Sequence, residues 1–427
     1  MSETVESFQT KVVYNRRFAR PLVIFAAPWL QAFAIAFAAI YGVLLFRLYM
    51  AGIWLVDSDG VPRYIEFTNF WFAGSQALHG QIAAIYDPVQ FTTVQQTLVG
   101  AGRYVYDIWP YPPTFFLILA PFAALPYFAS FLSWDLATLL GCIGAVYLIV
   151  RRVSAIPVVL ASPFTAFDLA YGQDGLLTAS LLGASLLFLE RQPVLAGFFI
   201  GCLTYKPQFG LLIPLALAAS SQWRAFASAA ATAMLLAIAT TVAFGAGVWA
   251  EFPAQLVAQA NEALFADPDS RWGLLQSVYA VIRAWRGGPA LAWTAQGLTM
   301  LAVGAVVWFV WRSHARYTLK AAALSAAALI VTPYAYAYDM AVIAIPVAFL
   351  ARDQICSGLL RGEQLTVIVL FLASLSILFS GGQGAIGAPI MLVLLCLILR
   401  RVLQSGTRPG LEALKFWKNF CDDSLVR

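Results

Sequence analysis

Glu66 opens a run of aromatic and small residues, Phe67, Asn69, Phe70, Trp71, Ala73 and Gly74, in a polar stretch that follows the first long apolar segment. A carboxylate held against a hydroxyl can take its proton, so Glu66 is the first candidate general base. Its plainer role is that of an acid at a helix start, which favours the positive helix end by ~0.3–1 kcal/mol. Asp57 and Asp59, in the short turn with Ser58 and Gly60, are rival carboxylates and equally suit a solvated turn. Lys206 lies in the middle of an apolar run, where an ammonium must find a partner. That partner is either a carboxylate such as Asp174, in a structural ion pair, or an anion such as a phosphate. In the second case Gln208 is a further donor and Arg271 a further cation. Gln173 with Asp174, and Tyr338 with Asp339, supply hydrogen-bonding groups at two other breaks in apolar sequence, where either acid also suits a helix cap. The five cysteines and two histidines show no metal-ligand spacing, so no cofactor is indicated, although a carboxylate pair can hold a divalent metal.

Elements in a bilayer have to position these groups. Apolar residues make up 61% of the chain and charged ones 11%, against about 45–50% and about 25% in soluble proteins. The formal net charge of +5 is divided into short groups between apolar runs, which is the positive-inside pattern and argues against nucleic acid as a partner. Leu22 to about Phe46 is too long for a signal peptide and reads as a retained first helix. Residues 153–190, 193–219 and 321–351 read as apolar hairpins, broken near Gly172–Asp174, Lys206–Gln208 and Pro333–Asp339. With the cationic turns inside, the three breaks fall outside.

The expectation is an all-α polytopic integral membrane protein with about 12 transmembrane helices (11–13). A transmembrane domain spans 1–403, with a first outer loop at 51–110 carrying interfacial helices and a second at 249–288. The tail, 404–427, is basic and cytoplasmic. The helical spacing of Phe67, Phe70, Trp71, Ala77 and Leu78 predicts a helix lying flat with its aromatic face down. Residues 111–150 must cross an odd number of times, so the proline-rich piece up to about Leu125 is expected to be re-entrant.

The ordered set from Glu66 to Gly74, then Gly80, Tyr86 to Pro88, Tyr111 to Pro113, Gly172 to Asp174, Tyr205 to Gln208, and Pro333 to Asp339 resembles glycosyltransferase family 87. The resemblance runs from the first helix to about residue 350. It implies a bacterial inner-membrane glycosyltransferase of the GT-C type, working on the extracytoplasmic face. It also implies a polyprenyl-phosphate sugar donor, typically mannose, a lipid or glycan acceptor, and surrounding membrane lipids. Carried onto these positions, Glu66 is the general base and Lys206 with Gln208 binds the donor phosphate, with Arg271 of the second loop, outside the matched positions, as the further cation. Asn69, Trp71, Tyr111, Gln173, Asp174, Tyr338 and Asp339 bind substrate. The family usually has Asp where this chain has Glu66, and Gln-Asn where it has Gln173 and Asp174. The alternatives are a transporter or flippase of a lipid-linked or small anionic solute, and a non-catalytic relative.

Overall fold

The computed structural model describes residues 28–100, 109–260, 264, 274–382 and 384–405, and within them it is helical, with only two isolated β-bridges. Among the described residues, six helices are long and apolar enough to cross a bilayer, and five shorter apolar ones of 10–17 residues lie between them. The first, α1 (Pro28–Met50), is almost wholly exposed on the outside of the bundle, as a lipid-facing helix is.

The first loop folds into α2 (Glu66–Leu78), α3 (Ala83–Tyr86) and α4 (Pro88–Val99). Asp87 caps α4 by accepting from the amides of Val89 and Gln90. The aromatic face of α2 is not laid on an open interface. Phe67 and Phe70 are buried in a ring cluster with Tyr111, Phe115, Phe131 and Trp134. Edge-on aromatic pairs of this kind each add ~0.5–1.5 kcal/mol beyond their buried area, so the loop is docked to the bundle.

The next helix, α5 (Phe115–Ala123), follows Pro112 and Pro113, contains Pro121 and stops before Pro126. Nine residues rise only ~14 Å at ~1.5 Å each, too little to cross. It packs on α2, and the full crossing falls to α6 (Tyr127–Val150). The proline-rich piece therefore forms a helix too short to cross on its own.

Then come α7 (Ala155–Leu160), α8 (Pro163–Tyr171), α9 (Gly175–Phe188) and α10 (Pro193–Cys202). Beyond α10, two 3-10 turns, Leu203–Tyr205 and Pro207–Gly210, flank Lys206. The break has a local cause: the residue before a proline is pushed out of helical geometry, and Lys206 sits at φ −130°, ψ 73°. After it run α11 (Ile213–Ala219), α12 (Trp223–Phe244), α13 (Val248–Ala260), α14 (Val278–Ala284), α15 (Pro289–Arg312) and α16 (Tyr317–Val331). The chain breaks again around Pro333, re-enters through the 3-10 turn Tyr338–Ile343 and continues as α17 (Ala344–Ser357). The last helices are α18 (Glu363–Ser374), α19 (Ser376–Phe379) and α20 (Gly387–Ser405).

At one end of the bundle α16, α17, α18 and α20 are joined by ions. Arg401 reaches Asp353 at 2.7 Å and Glu363 at 2.5 Å, and Arg316 reaches Asp353 at 2.6 Å. At the other end of α17 the two long loops meet each other and one of the apolar breaks. The amide of Gln276 donates to the Ala335 carbonyl at 2.6 Å, and the Gln255 side chain donates to the Tyr86 carbonyl at 2.5 Å.

Candidate active site

The turn between α8 and α9 organises the site. Gly172 adopts φ +63°, a left-handed conformation, and a Cβ there would meet that of Phe67 at 2.6 Å. A Cβ on Gly175 would meet the Tyr338 carbonyl oxygen at 2.1 Å, so the turn is closed against α2 on one side and the Tyr338 turn on the other. Asp168, buried in α8, accepts from the amides of Gly175 at 2.9 Å and Leu176 at 3.3 Å and so holds the start of α9. Trp134 on α6 donates to the Gln173 carbonyl at 3.0 Å.

Between the two glycines, Gln173 and Asp174 point to different partners. The Gln173 amide donates to Oε2 of Glu66. Asp174 accepts from Lys206, whose Nζ also donates to Oδ1 of Asp339 at 2.5 Å. Asp339 in turn accepts from the Tyr336 amide at 2.9 Å. All three charged side chains are buried. The ammonium lies 4.9 Å from the centroid of the Tyr338 ring, which stacks on Tyr336 at 5.5 Å. Of the two partners open to Lys206, the structure holds the carboxylate, and it holds two of them.

A cavity of about 300 Å³ lies over this group, lined by Tyr111, Lys206, Gln208, Tyr334, Tyr338 and Asp339 and walled by Phe252 and Leu256 of α13. Tyr111 belongs to the connection before α5. Burial, and then the charges of Asp174, Asp339 and Glu66, hold its phenol well above the ordinary range, so it remains a proton donor.

The structure thus brings Glu66, Tyr111, Gln173, Asp174, Lys206, Gln208, Tyr338 and Asp339 to one end of the bundle. Other expected residues stand apart. Trp71, five residues on from Glu66 and so about 140° round the helix, gives its indole N–H to the Leu125 carbonyl at 2.9 Å and its ring to Tyr127. Asn69 donates to the Tyr64 hydroxyl at 3.2 Å, and neither residue lines the cavity. Asp57 bonds its own turn, accepting from the amides of Asp59 and Val61 at 3.1 and 2.9 Å, and Asp59 is exposed beside it. Arg271 lies outside the described residues, as do the basic residues of the tail. Among the described residues no three His, Cys, Asp or Glu side chains gather as a metal-holding group.

Asp168 and Trp134 escaped the sequence reading. An acid five residues before Gln173 in an otherwise apolar helix was the available signal for Asp168. Nothing in the sequence links Trp134 to Gln173.

The sequence model of glycosyltransferase family 87 matches residues 109–333, just over half of the chain. The match takes in Tyr111, Gln173, Asp174 and Lys206 and leaves Glu66 and Asp339 on either side of it. No curated protein and no solved structure matches the chain.

Proposed function

The chain belongs to glycosyltransferase family 87 and is a membrane glycosyltransferase, and from that membership we propose that it moves a hexose from a polyprenyl phosphate to a lipid or glycan acceptor. Mannose is the first sugar to test. Glu66 is the general base: it takes the proton from an acceptor hydroxyl as that oxygen attacks the anomeric carbon. The bond from that carbon to the phosphate oxygen breaks in the same displacement, inverting the anomeric centre and releasing polyprenyl phosphate. The reaction takes place at the extracytoplasmic face of the inner membrane.

The observation that carries this reading is the bond from Gln173 to Glu66. It ties the carboxylate at the start of α2 to the same turn that presents Asp174 to Lys206 and Asp339. Glu is one methylene longer than the family's Asp, and a side-chain amide donor across the gap suits that longer reach. Two buried carboxylates and an ammonium, under the rings of Tyr336 and Tyr338, suit a sugar: the acids accept from hydroxyls and the rings cover an apolar sugar face. An ammonium has three N–H donors, and the two carboxylates take two, leaving one for a ligand in the cavity.

The test is to incubate the purified protein with labelled polyprenyl-phosphate mannose and a lipid extract. Label should pass to a new product with wild type, and Glu66→Gln should lower the rate by at least about 100-fold while the protein stays folded. Full activity in Glu66→Gln would remove the base from its role. Exchange of labelled lipid between leaflets without a new bond would favour a flippase instead.

A further inference from the structure

A second cavity, of about 480 Å³ and not anticipated from the sequence, opens beside the start of α2. Its walls are Leu45 and Leu48 in the last turns of α1, Ile53 and Trp54 just after it, Arg63, and Tyr171 at the end of α8. Ile65, the neighbour of Glu66, also lines it, and Tyr171 lies two residues before Gln173, the hydrogen-bond partner of Glu66. Its bond with Gln173, the neighbour of Asp174, ties Glu66 to the ion group under the first cavity, so Glu66 lies near both cavities.

Among the described residues, Arg63 is the only charged one in the wall of this second cavity. It is half-buried, its Nε is enclosed without a hydrogen-bond partner, and among the described residues the guanidinium forms no ion pair. This is unlike the ammonium of Lys206, which two carboxylates already hold. The side chains beside Arg63 from α1 are apolar, and α1 itself is the lipid-facing helix at the edge of the bundle. An unpartnered cation beside apolar walls, within reach of the bilayer, is complementary to an anion that carries a hydrocarbon chain.

We infer that this cavity seats the phosphate of an isoprenoid lipid, with Arg63 as its anion-binding residue and the chain leaving past Leu45 and Leu48 into the membrane. The inference rests on the lipid-phosphate donor proposed above, and it moves the phosphate from Lys206 to Arg63. A guanidinium three residues before the base then neutralises the phosphate that departs when the sugar is transferred. The sugar extends from there past Glu66 toward Lys206 and the tyrosines.

Equilibrium binding of tritiated farnesyl phosphate to the full chain in detergent tests this, with farnesol, inorganic phosphate and phosphatidylglycerol as competitors. Farnesyl phosphate should bind saturably, and each competitor should be at least about tenfold weaker. Arg63→Gln should weaken farnesyl phosphate about tenfold or more, as expected for losing one charged hydrogen-bonded pair. Arg63→Lys should keep most of the binding. Undiminished binding in Arg63→Gln would overturn the inference, and so would equal competition by farnesol or by inorganic phosphate. Since the readout is binding, it fails or succeeds apart from transfer: an active Glu66→Gln variant would remove the proposed base and leave the binding result standing.

Discussion

Lys206, Asp174 and Asp339 come from three separate breaks in apolar sequence, 32 and 133 residues apart, and close on one another away from water. Removing one charge from such a group leaves the others buried without compensation, which costs about 3–5 kcal/mol where it has been measured in other proteins. Lys206→Met should therefore lower the thermal midpoint of the detergent-solubilised protein sharply. The triple variant Lys206→Met, Asp174→Asn, Asp339→Asn should recover most of that loss and still transfer no sugar. A triple variant no more stable than the single one would mean that the ions are not what Lys206→Met disrupts. The sequence made Lys206 conspicuous, because an ammonium in an apolar run demands a partner. It also offered Asp174 as one such partner. That Asp339 shares the charge depended on the path of the chain between residues 206 and 339, on which spacing is silent.

The turn between α8 and α9 was legible as a break but not as a hinge point of the site. Gly172, Gln173 and Asp174 looked like a polar interruption, whereas the structure shows a clasp with glycine at each critical edge. Gly175→Ala should cost about 1–3 kcal/mol as overpacking, because the atom its Cβ would strike is the backbone oxygen of Tyr338 and cannot swing aside. Gly42→Ala, in α1 with open space around its Cβ, should be neutral or stabilising by up to about 1 kcal/mol. Thermal denaturation of both variants in one detergent makes the comparison, and equal midpoints would deny the clasp. The helical spacing of α2 predicted one aromatic face on the lipid interface, but Phe67, Phe70 and Ala77 pack into protein, Leu78 is exposed, and Phe72, off that face, is buried against Phe91. Periodicity reveals that a face is apolar and leaves open whether lipid or protein covers it.

Across the whole molecule, α17 connects the two ends. Its leading 3-10 turn carries Asp339 in the site, and Asp353 lies near its other end in the ion cluster with Arg316, Arg401 and Glu363. Arg401 binds two acids and is 2% exposed in its side chain, while Arg316 is 40% exposed. Arg401→Met should accordingly destabilise by about 3–5 kcal/mol. Arg316→Gln should cost about 1 kcal/mol or less, since water screens an exposed pair. Unfolding midpoints in a common detergent give the ranking, and equal effects would show that burial does not set it. Both arginines were visible beforehand as cationic marks between apolar runs, which sufficed to order the segments. Their partners were not visible.

Composition and the order of polar breaks determined, without coordinates, that this is an all-helical membrane chain with the pattern of a sugar-transfer family. They do so because a hydrocarbon core admits few polar groups, and those it admits stand out wherever they occur. Tertiary structure decided the assignments: Lys206 to two carboxylates, Gln173 to Glu66, Trp71 to the backbone between α5 and α6, and Arg63 to a cavity of its own. The reason is geometric. A buried charge announces that it needs a partner, but which partner it finds is fixed by helices packing side by side, and those neighbours come from segments far apart in the chain.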